Sequence, residues 1–196
     1  MKLNICIDGN ISVGKSTIIN LLSKKYHTFP EPLEKWTLLS KFYDNPKEYA
    51  SLFSLQVLFT ELDQIRNINK IDDICFIERC PWTAKHVFVK LSKEMGTWDH
   101  AFTPVYENLY NKIDFQINLF FVLLLSPEKC FERMKLRNRQ SEQKIEFSYI
   151  KKLNDQYLKA ITEDMPSNVK VVFINVDDKS PDEILNIIET KLKDLY

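Results

Sequence analysis

Short runs of consecutive apolar residues alternate along this chain with longer segments whose apolar positions recur at helical spacing. The runs Leu3–Ile7, Ile74–Glu78, Phe115–Leu125 and Val169–Asn175 read as strands buried on both faces. A weaker run around Tyr26–Phe29 supplies a fifth. Helical segments are predicted to begin at Lys15, Leu33, Pro46, Pro81, Trp98, Pro127, Phe147 and Pro181. Pro46, Pro81, Pro127 and Pro181 sit where a missing N–H costs a helix nothing, and Ser126 and Ser180 stand ready as caps. Strands alternating with helices predict βαβ units. The expected fold is therefore a three-layer α/β domain, a five-stranded parallel sheet flanked by helices. With no repeat, low-complexity tract or linker, one domain over residues 1–196 is expected.

Composition narrows the function. Apolar residues make up 44% of the 196 and aromatics 12%, enough for a packed core. The 27 basic residues match the 27 acidic ones, which leaves no electrostatic footprint for nucleic acid or an anionic membrane. The most apolar stretch, Phe115 to Leu125, falls well short of the ~20 residues of a membrane helix. Cys6, Cys75, Cys80 and Cys130 form no CxxC pair and no zinc-ligand spacing, so a reducing, cytoplasmic setting is expected. With a first strand expected from Leu3, no signal or transit peptide is expected ahead of it.

Two of the three glycines, Gly9 and Gly14, fall inside Gly9-Asn10-Ile11-Ser12-Val13-Gly14-Lys15-Ser16-Thr17. This segment matches GxxxxGK[ST], directly after a predicted strand and before a predicted helix, which is the context that gives the pattern meaning. Backbone N–H groups of such a loop curl around phosphate oxygens, and the helix N-terminus adds its positive end. Lys15 would reach the outer phosphates of ATP and Ser16 would ligate Mg²⁺. The plain alternative is a tight strand-to-helix turn. The loop does not by itself separate a kinase from a nucleotide switch or motor.

Arg133 and Arg137 are four apart on one helix face, with Arg139 half a turn beyond and Lys135 among them. Alone, such a cluster reads as a basic helix end that complements the helix dipole. Beside a phosphate loop it reads as an arginine-rich lid, over about residues 133–145, that grips phosphate oxygens bidentately.

The phosphate loop, Pro30-Glu31-Pro32 with Trp36, Glu78-Arg79-Cys80, and the run from Arg133 to Glu142 occur in that order. Together they resemble the deoxyribonucleoside kinases, the group of deoxycytidine, deoxyguanosine and mitochondrial-type thymidine kinases. The resemblance implies a P-loop kinase fold and roles for matching positions. Glu31 would accept the proton of the nucleoside 5′-OH; a carboxylate suits that task, although a glutamate in a first helical turn is also favoured by the dipole. Glu78 would help to organise Mg²⁺, and Arg79 would contact the 5′-oxygen and the transferred phosphate; a plain strand-end salt bridge is the alternative. Trp36 and Phe88 would pack on the base, and Tyr43 with Glu142 would hold the sugar 3′-OH. Arg133, Arg137 and Arg139 match lid arginines. A homodimer is implied as well.

The chain departs from that pattern at the base. Cys80 replaces the usual serine. Counting without gaps from Tyr43 places Ser54 where the family carries its base-reading glutamine; a two-residue insertion would make Gln56 the reader, and that register is favoured. Ala84 stands where deoxycytidine kinase has an aspartate partnered by an arginine, and the arginine's position holds Glu61 or Asp63. A small alanine leaves room for the 5-methyl of thymine. The expected reaction is thus γ-phosphoryl transfer from Mg-ATP to the 5′-OH of thymidine or another pyrimidine deoxynucleoside. A thymidylate-type monophosphate kinase is the nearest rival, disfavoured by Glu78-Arg79 and by Glu31. A nucleotide switch is more remote, because no Asp-x-x-Gly motif surrounds Gly96, the only glycine outside the loop.

Overall fold

The computed structural model describes residues 2–195. Its five strands are β1 (Leu3–Gly9), β2 (His27–Phe29), β3 (Ile74–Glu78), β4 (Leu119–Leu124) and β5 (Lys170–Asn175). They form one parallel sheet in the order β2-β3-β1-β4-β5, with Ile5 of β1 opposite Phe76 on one side and Leu119 on the other. The central position of β1 follows from its sequence: Leu3, Ile5, Cys6 and Ile7 are all buried, so both faces must be covered by helices. The chain first builds β2 and β3 on one side of β1, then crosses to β4 and β5 on the other. That reversal makes the carboxyl end of β1 a topological switch point, where open α/β sheets bind ligands.

The helices are α1 (Lys15–Leu22), α2 (Leu39–Asp44), α3 (Pro46–Ile68), α4 (Pro81–Thr83), α5 (Lys90–Glu94), α6 (Thr103–Tyr110), α7 (Pro127–Arg137), α8 (Phe147–Glu163) and α9 (Pro181–Leu195). Ser126 caps α7 by accepting from Lys129 N at 3.3 Å. Ser180 and Glu183 form a reciprocal capping box on α9. Between α4 and α5 the chain widens into a π-helical segment, Ala84–Val89. Such a turn takes more than four residues, so Ala84 and Phe88 come to one face. No helix among the described residues is long and apolar enough to cross a membrane, and all four cysteines are buried thiols.

Three predicted elements differ. The helix expected from Leu33 is only the 3₁₀ turn Leu33–Lys35; it breaks at Trp36, whose indole donates to Thr60 Oγ1 at 2.9 Å and packs edge-on against Phe53. The helix expected from Trp98 begins instead with a 3₁₀ turn at His100, capped by Asp99, because Trp98 turns inward onto Tyr106. The run from Phe115 enters the sheet only at Leu119: Asn118 ties β1 down through Asn4, whose N–H donates to its side-chain oxygen at 2.8 Å.

Candidate active site

The phosphate loop leaves β1 at Gly9, whose φ of 139° lies outside the range of ordinary side chains. A Cβ there would meet Leu123 O of the neighbouring strand at 2.5 Å. Ser12 at φ 61° and Gly14 at φ 116° complete the curl. Asn10 anchors the loop to α8 by donating to Ile150 O at 3.0 Å, and Val13 packs into the core. Ile11, Ser12, Gly14, Lys15, Ser16 and Thr17 face a cleft that Arg133, Arg137, Arg139 and Glu142 close from the other side. Lys15 Nζ donates to Gly9 O at 3.2 Å and Asn10 O at 2.9 Å. Burial, with Arg79 nearby, brings its pKa down to about 8. Ser12 Oγ is buried without a hydrogen-bond partner among the described residues, a polar atom awaiting an acceptor.

The end of β3 delivers two charged groups. Glu78 accepts from Ser16 Oγ at 2.7 Å, and burial next to Glu31 pushes its carboxyl up. Arg79 adopts φ 61°, and its guanidinium lies at the carboxyl end of β1, with Nη2 3.4 Å from Gly9 O. There it pairs with Glu31 through Nη1, donates from Nε to the Tyr157 hydroxyl at 3.0 Å, and lies 4.9 Å above the Phe88 ring. The Tyr157 hydroxyl in turn donates to Asp8 Oδ1 at 2.8 Å. Asp8 is fully buried and also accepts from Gly9 N and Thr83 Oγ1. Burial raises its carboxyl, with Arg79 and Lys15 opposing. The guanidinium is therefore held from several directions, and little rotamer freedom remains to be lost when it is used.

Asp8, Tyr157 and Thr83 escaped the sequence reading. A carboxylate in an otherwise apolar strand just ahead of the phosphate loop was the available signal for Asp8. Tyr157 on the buried face of α8 gave none.

The arginines expected in a lid are already engaged. Arg137 Nη2 donates to both oxygens of Glu142, at 2.8 and 2.7 Å, and Arg139 reaches the same carboxylate at 3.4 Å. Arg133 Nη1 donates to Val13 O at 3.4 Å. Asn138 in the left-handed conformation ends α7 and starts the turn that carries Arg139.

Beside the phosphate cleft lies a second lobe, with about 770 Å³ of empty space including its open mouth. Trp36, Tyr43, Ala84 and Phe88, the residues expected around a nucleoside, line it. Gln56 does not. Its amide bridges Leu38 N and Thr37 Oγ1, both at 2.9 Å, which turns it toward the loop before α2. Ser54 lines the lobe in its place, so Phe53 and Ser54 face inward and the insertion register is corrected to the ungapped one. Glu61 and Gln64 also line it. Glu31 and Arg79 line both lobes and thus sit at their junction.

A parallel sheet with a phosphate loop at the end of β1 and an arginine-bearing segment over it is the P-loop kinase fold. Within that class, residues 5–195 match the family described as Deoxynucleoside kinase. The chain belongs to that family. It is 39% identical over 169 residues to the Invertebrate iridescent virus 6 protein named "Putative kinase protein 143R", covering 86% of this chain and 87% of the relative. It is 31% identical over 210 residues to the "Probable deoxycytidine kinase FPV151" of Fowlpox virus, covering 98% and 89%. The solved structure of a deoxyadenosine kinase from M. mycoides, 21% identical, superposes with a TM-score of 0.87 over 98% of this chain and 100% of that one, a likeness of fold.

Proposed function

We propose that the protein transfers the γ-phosphoryl group of ATP to the 5′-hydroxyl of a deoxynucleoside, with thymidine or another pyrimidine favoured. The observation that carries this reading is the Glu31–Arg79 pair at the junction of an apolar lobe and a phosphate cleft. A nucleoside in the apolar lobe would present its 5′-OH to Glu31, with Trp36 and Phe88 on the base and Tyr43 with Glu142 on the sugar. A triphosphate on the loop would place its terminal phosphorus on the other side of the same pair. The 5′-oxygen attacks phosphorus, the bond to the β-phosphate oxygen breaks, ADP leaves, and the hydroxyl proton passes to the Glu31 carboxylate. Arg79, Lys15 and the lid arginines over residues 133–145 balance the charge on the transferred group.

Ser16 and Glu78 offer adjacent hard oxygens, the carboxyl buried, a fit for Mg²⁺ entering with the nucleotide. Bound there, the ion would neutralise phosphate charge. Among the described residues no cluster of three or more acidic, histidine or cysteine side chains could hold a resident metal. Ala84 on the wall of the base lobe supports thymidine, since it leaves room for a 5-methyl group. A homodimer is supported by the exposed apolar side chains Leu52 and Phe59 on α3 and Val105 on α6.

Transfer of label from Mg-[γ-³²P]ATP to thymidine, deoxycytidine, deoxyadenosine, deoxyguanosine or thymidine monophosphate tests the reading. Label on thymidine is expected. Label on a purine nucleoside alone would keep the kinase and remove the base preference. Label on thymidine monophosphate alone would assign a monophosphate kinase.

A further inference from the structure

Three polar side chains of α3 that line the base lobe, Ser54, Glu61 and Gln64, differ in hydrogen-bonding state. Ser54 Oγ donates to Ala50 O within its own helix at 2.8 Å. Gln64 Nε2 donates to Pro30 O at 2.7 Å. Each thus has one donor engaged on a backbone carbonyl. Glu61 is 8% exposed, forms no hydrogen bond or ion pair among the described residues, and leaves Oε2 buried and unsatisfied. A carboxyl group in that state is destabilising unless something else completes it.

We propose that Glu61 reads the hydrogen-bonding edge of the base, pairing its carboxyl with an adjacent donor and acceptor on a pyrimidine ring. This rests on the kinase reading above. Glu61 lines the apolar lobe and not the phosphate cleft, whereas Glu31 and Arg79 line both. A ligand that spans from the junction into the lobe therefore meets Glu61 with its base and Glu31 with its 5′-OH. The carboxyl holds its proton well above the usual carboxylate range. Burial is the main cause, the nearby Cys80, Glu31 and Asp8 add to it, and Arg79 opposes. A neutral carboxyl carries one O–H donor and one carbonyl acceptor side by side. Thymine presents N3–H beside O4, and the two match: N3–H donates to the carbonyl oxygen while the carboxyl O–H donates to O4. Cytosine presents the reverse order, N3 beside N4–H, and the carboxyl meets it by carrying its proton on the other oxygen. The carboxyl in this way pairs with a base edge without a cation at the base. An ionised carboxylate, by contrast, would face O4 of thymine acceptor to acceptor.

The test compares thymidine with its apolar isostere, the 2,4-difluorotoluene deoxynucleoside, in wild type, E61L and E61Q. The isostere keeps the shape of thymine and lacks its hydrogen bonds. Wild type should prefer thymidine by about 10–100-fold in kcat/KM, since hydrogen-bonding pockets reject partners that leave them unpaired. E61L should lower that ratio to about one, while E61Q, whose amide also offers a donor beside an acceptor, should preserve most of it. E61L should melt no lower than wild type in the absence of ligand, because it removes an unpaired buried group, so a collapsed ratio cannot be ascribed to misfolding. A ratio unchanged in E61L would overturn the role of Glu61 and leave the kinase standing. E61Q as poor as E61L would overturn the neutral pairing. A wild type that accepts no pyrimidine deoxynucleoside would sink both this proposal and the substrate preference it rests on.

Discussion

Replacing Glu31 with glutamine removes a proton acceptor and little else. The side chains of Glu31 and Arg79 are 11% and 12% exposed, so their pairing is largely shielded from solvent. The substituted side chain would still accept from Arg79 through its amide oxygen, and Arg79 would keep Tyr157, Gly9 O and the Asp8 carboxylate at 3.6 Å. Trading a charged acceptor for a neutral one should cost about 1–3 kcal/mol of stability. For a domain of this size that lowers Tm by roughly 2–12 °C, leaving the variant folded at 25 °C. A positioned general base is worth about 10²–10⁴ in rate. The kcat of E31Q should fall by that factor, equivalent to roughly 2.7–5.5 kcal/mol of barrier. The KM for the nucleoside should move by less than about threefold, because the contacts to base and sugar are untouched. Steady-state transfer assays at saturating Mg-ATP measure both, and single-turnover mixing separates chemistry from product release. A kcat within about threefold of wild type, with chemistry rate-limiting in both proteins, would refute the assignment of Glu31 as base.

Other outcomes follow from the loop. Gly9→Ala should destabilise the protein by about 2–6 kcal/mol, since it adds backbone strain to an overpacked contact with Leu123 O, and a thermal melt would show it; an unchanged Tm would mean that the loop relaxes freely. Lys15 should make nucleotide affinity pH-dependent. Its folded-state pKa is about 8 against an ordinary 10.5, so between those values the unfolded chain holds a proton that the folded chain has released, and stability contributed by this group rises with pH across that window. A triphosphate needs the charged form, so ATP affinity should weaken above pH 8 by up to about tenfold per unit. Calorimetric titration of wild type and K15M checks this: the slope should vanish in the variant, and an equal slope in both would assign it to another group.

Much of this architecture could be read from the chain because it rests on local physics. Uninterrupted apolar runs of this length fit strands covered on both faces, and GxxxxGK[ST] between strand and helix permits one backbone path. Helices capped by Ser126 and Ser180 began where the caps placed them. What stayed hidden depended on side chains turning toward distant partners. Trp36 broke a helix to reach Thr60 and Phe53. Gln56 left the lobe for Thr37 and Leu38, a choice that helical spacing alone does not resolve, because residues 54 and 56 lie on different faces of α3. The Asp8–Tyr157–Arg79 network joins three elements far apart in sequence, and only the fold brings them together. Glu61 was visible as an unusual residue at one position, but its isolation was not: a missing partner has no sequence signature.

The arrangement of charges ties the lid to the sugar. Lys15, Arg79, Arg137 and Arg139 all face the phosphate cleft, and each has an internal acceptor in the free protein: Lys15 has loop carbonyls, Arg79 has Glu31, and the two lid arginines share Glu142. On the proposed reading nucleotide competes with those acceptors, and the carboxylates it releases are the groups proposed to hold the nucleoside. Glu142 is the clearest case. It is 6% exposed and accepts from Arg137 on both oxygens, so a sugar 3′-OH would meet a carboxylate already engaged by a lid arginine. Glu142→Gln should therefore split the two substrates. Losing the carboxylate frees the lid arginines, so ATP should bind the free protein at least as tightly as in wild type. The 3′-OH loses a charged acceptor, so the nucleoside KM should rise by roughly 10-fold or more. The penalty should be absent for a 3′-deoxy analogue, which makes no such bond. Equilibrium binding of ATP together with KM values for thymidine and 3′-deoxythymidine would decide it. Equal losses for both nucleosides would place Glu142 in the lid alone, and weakened ATP binding would show that its pairing with Arg137 builds the phosphate site instead of restraining it.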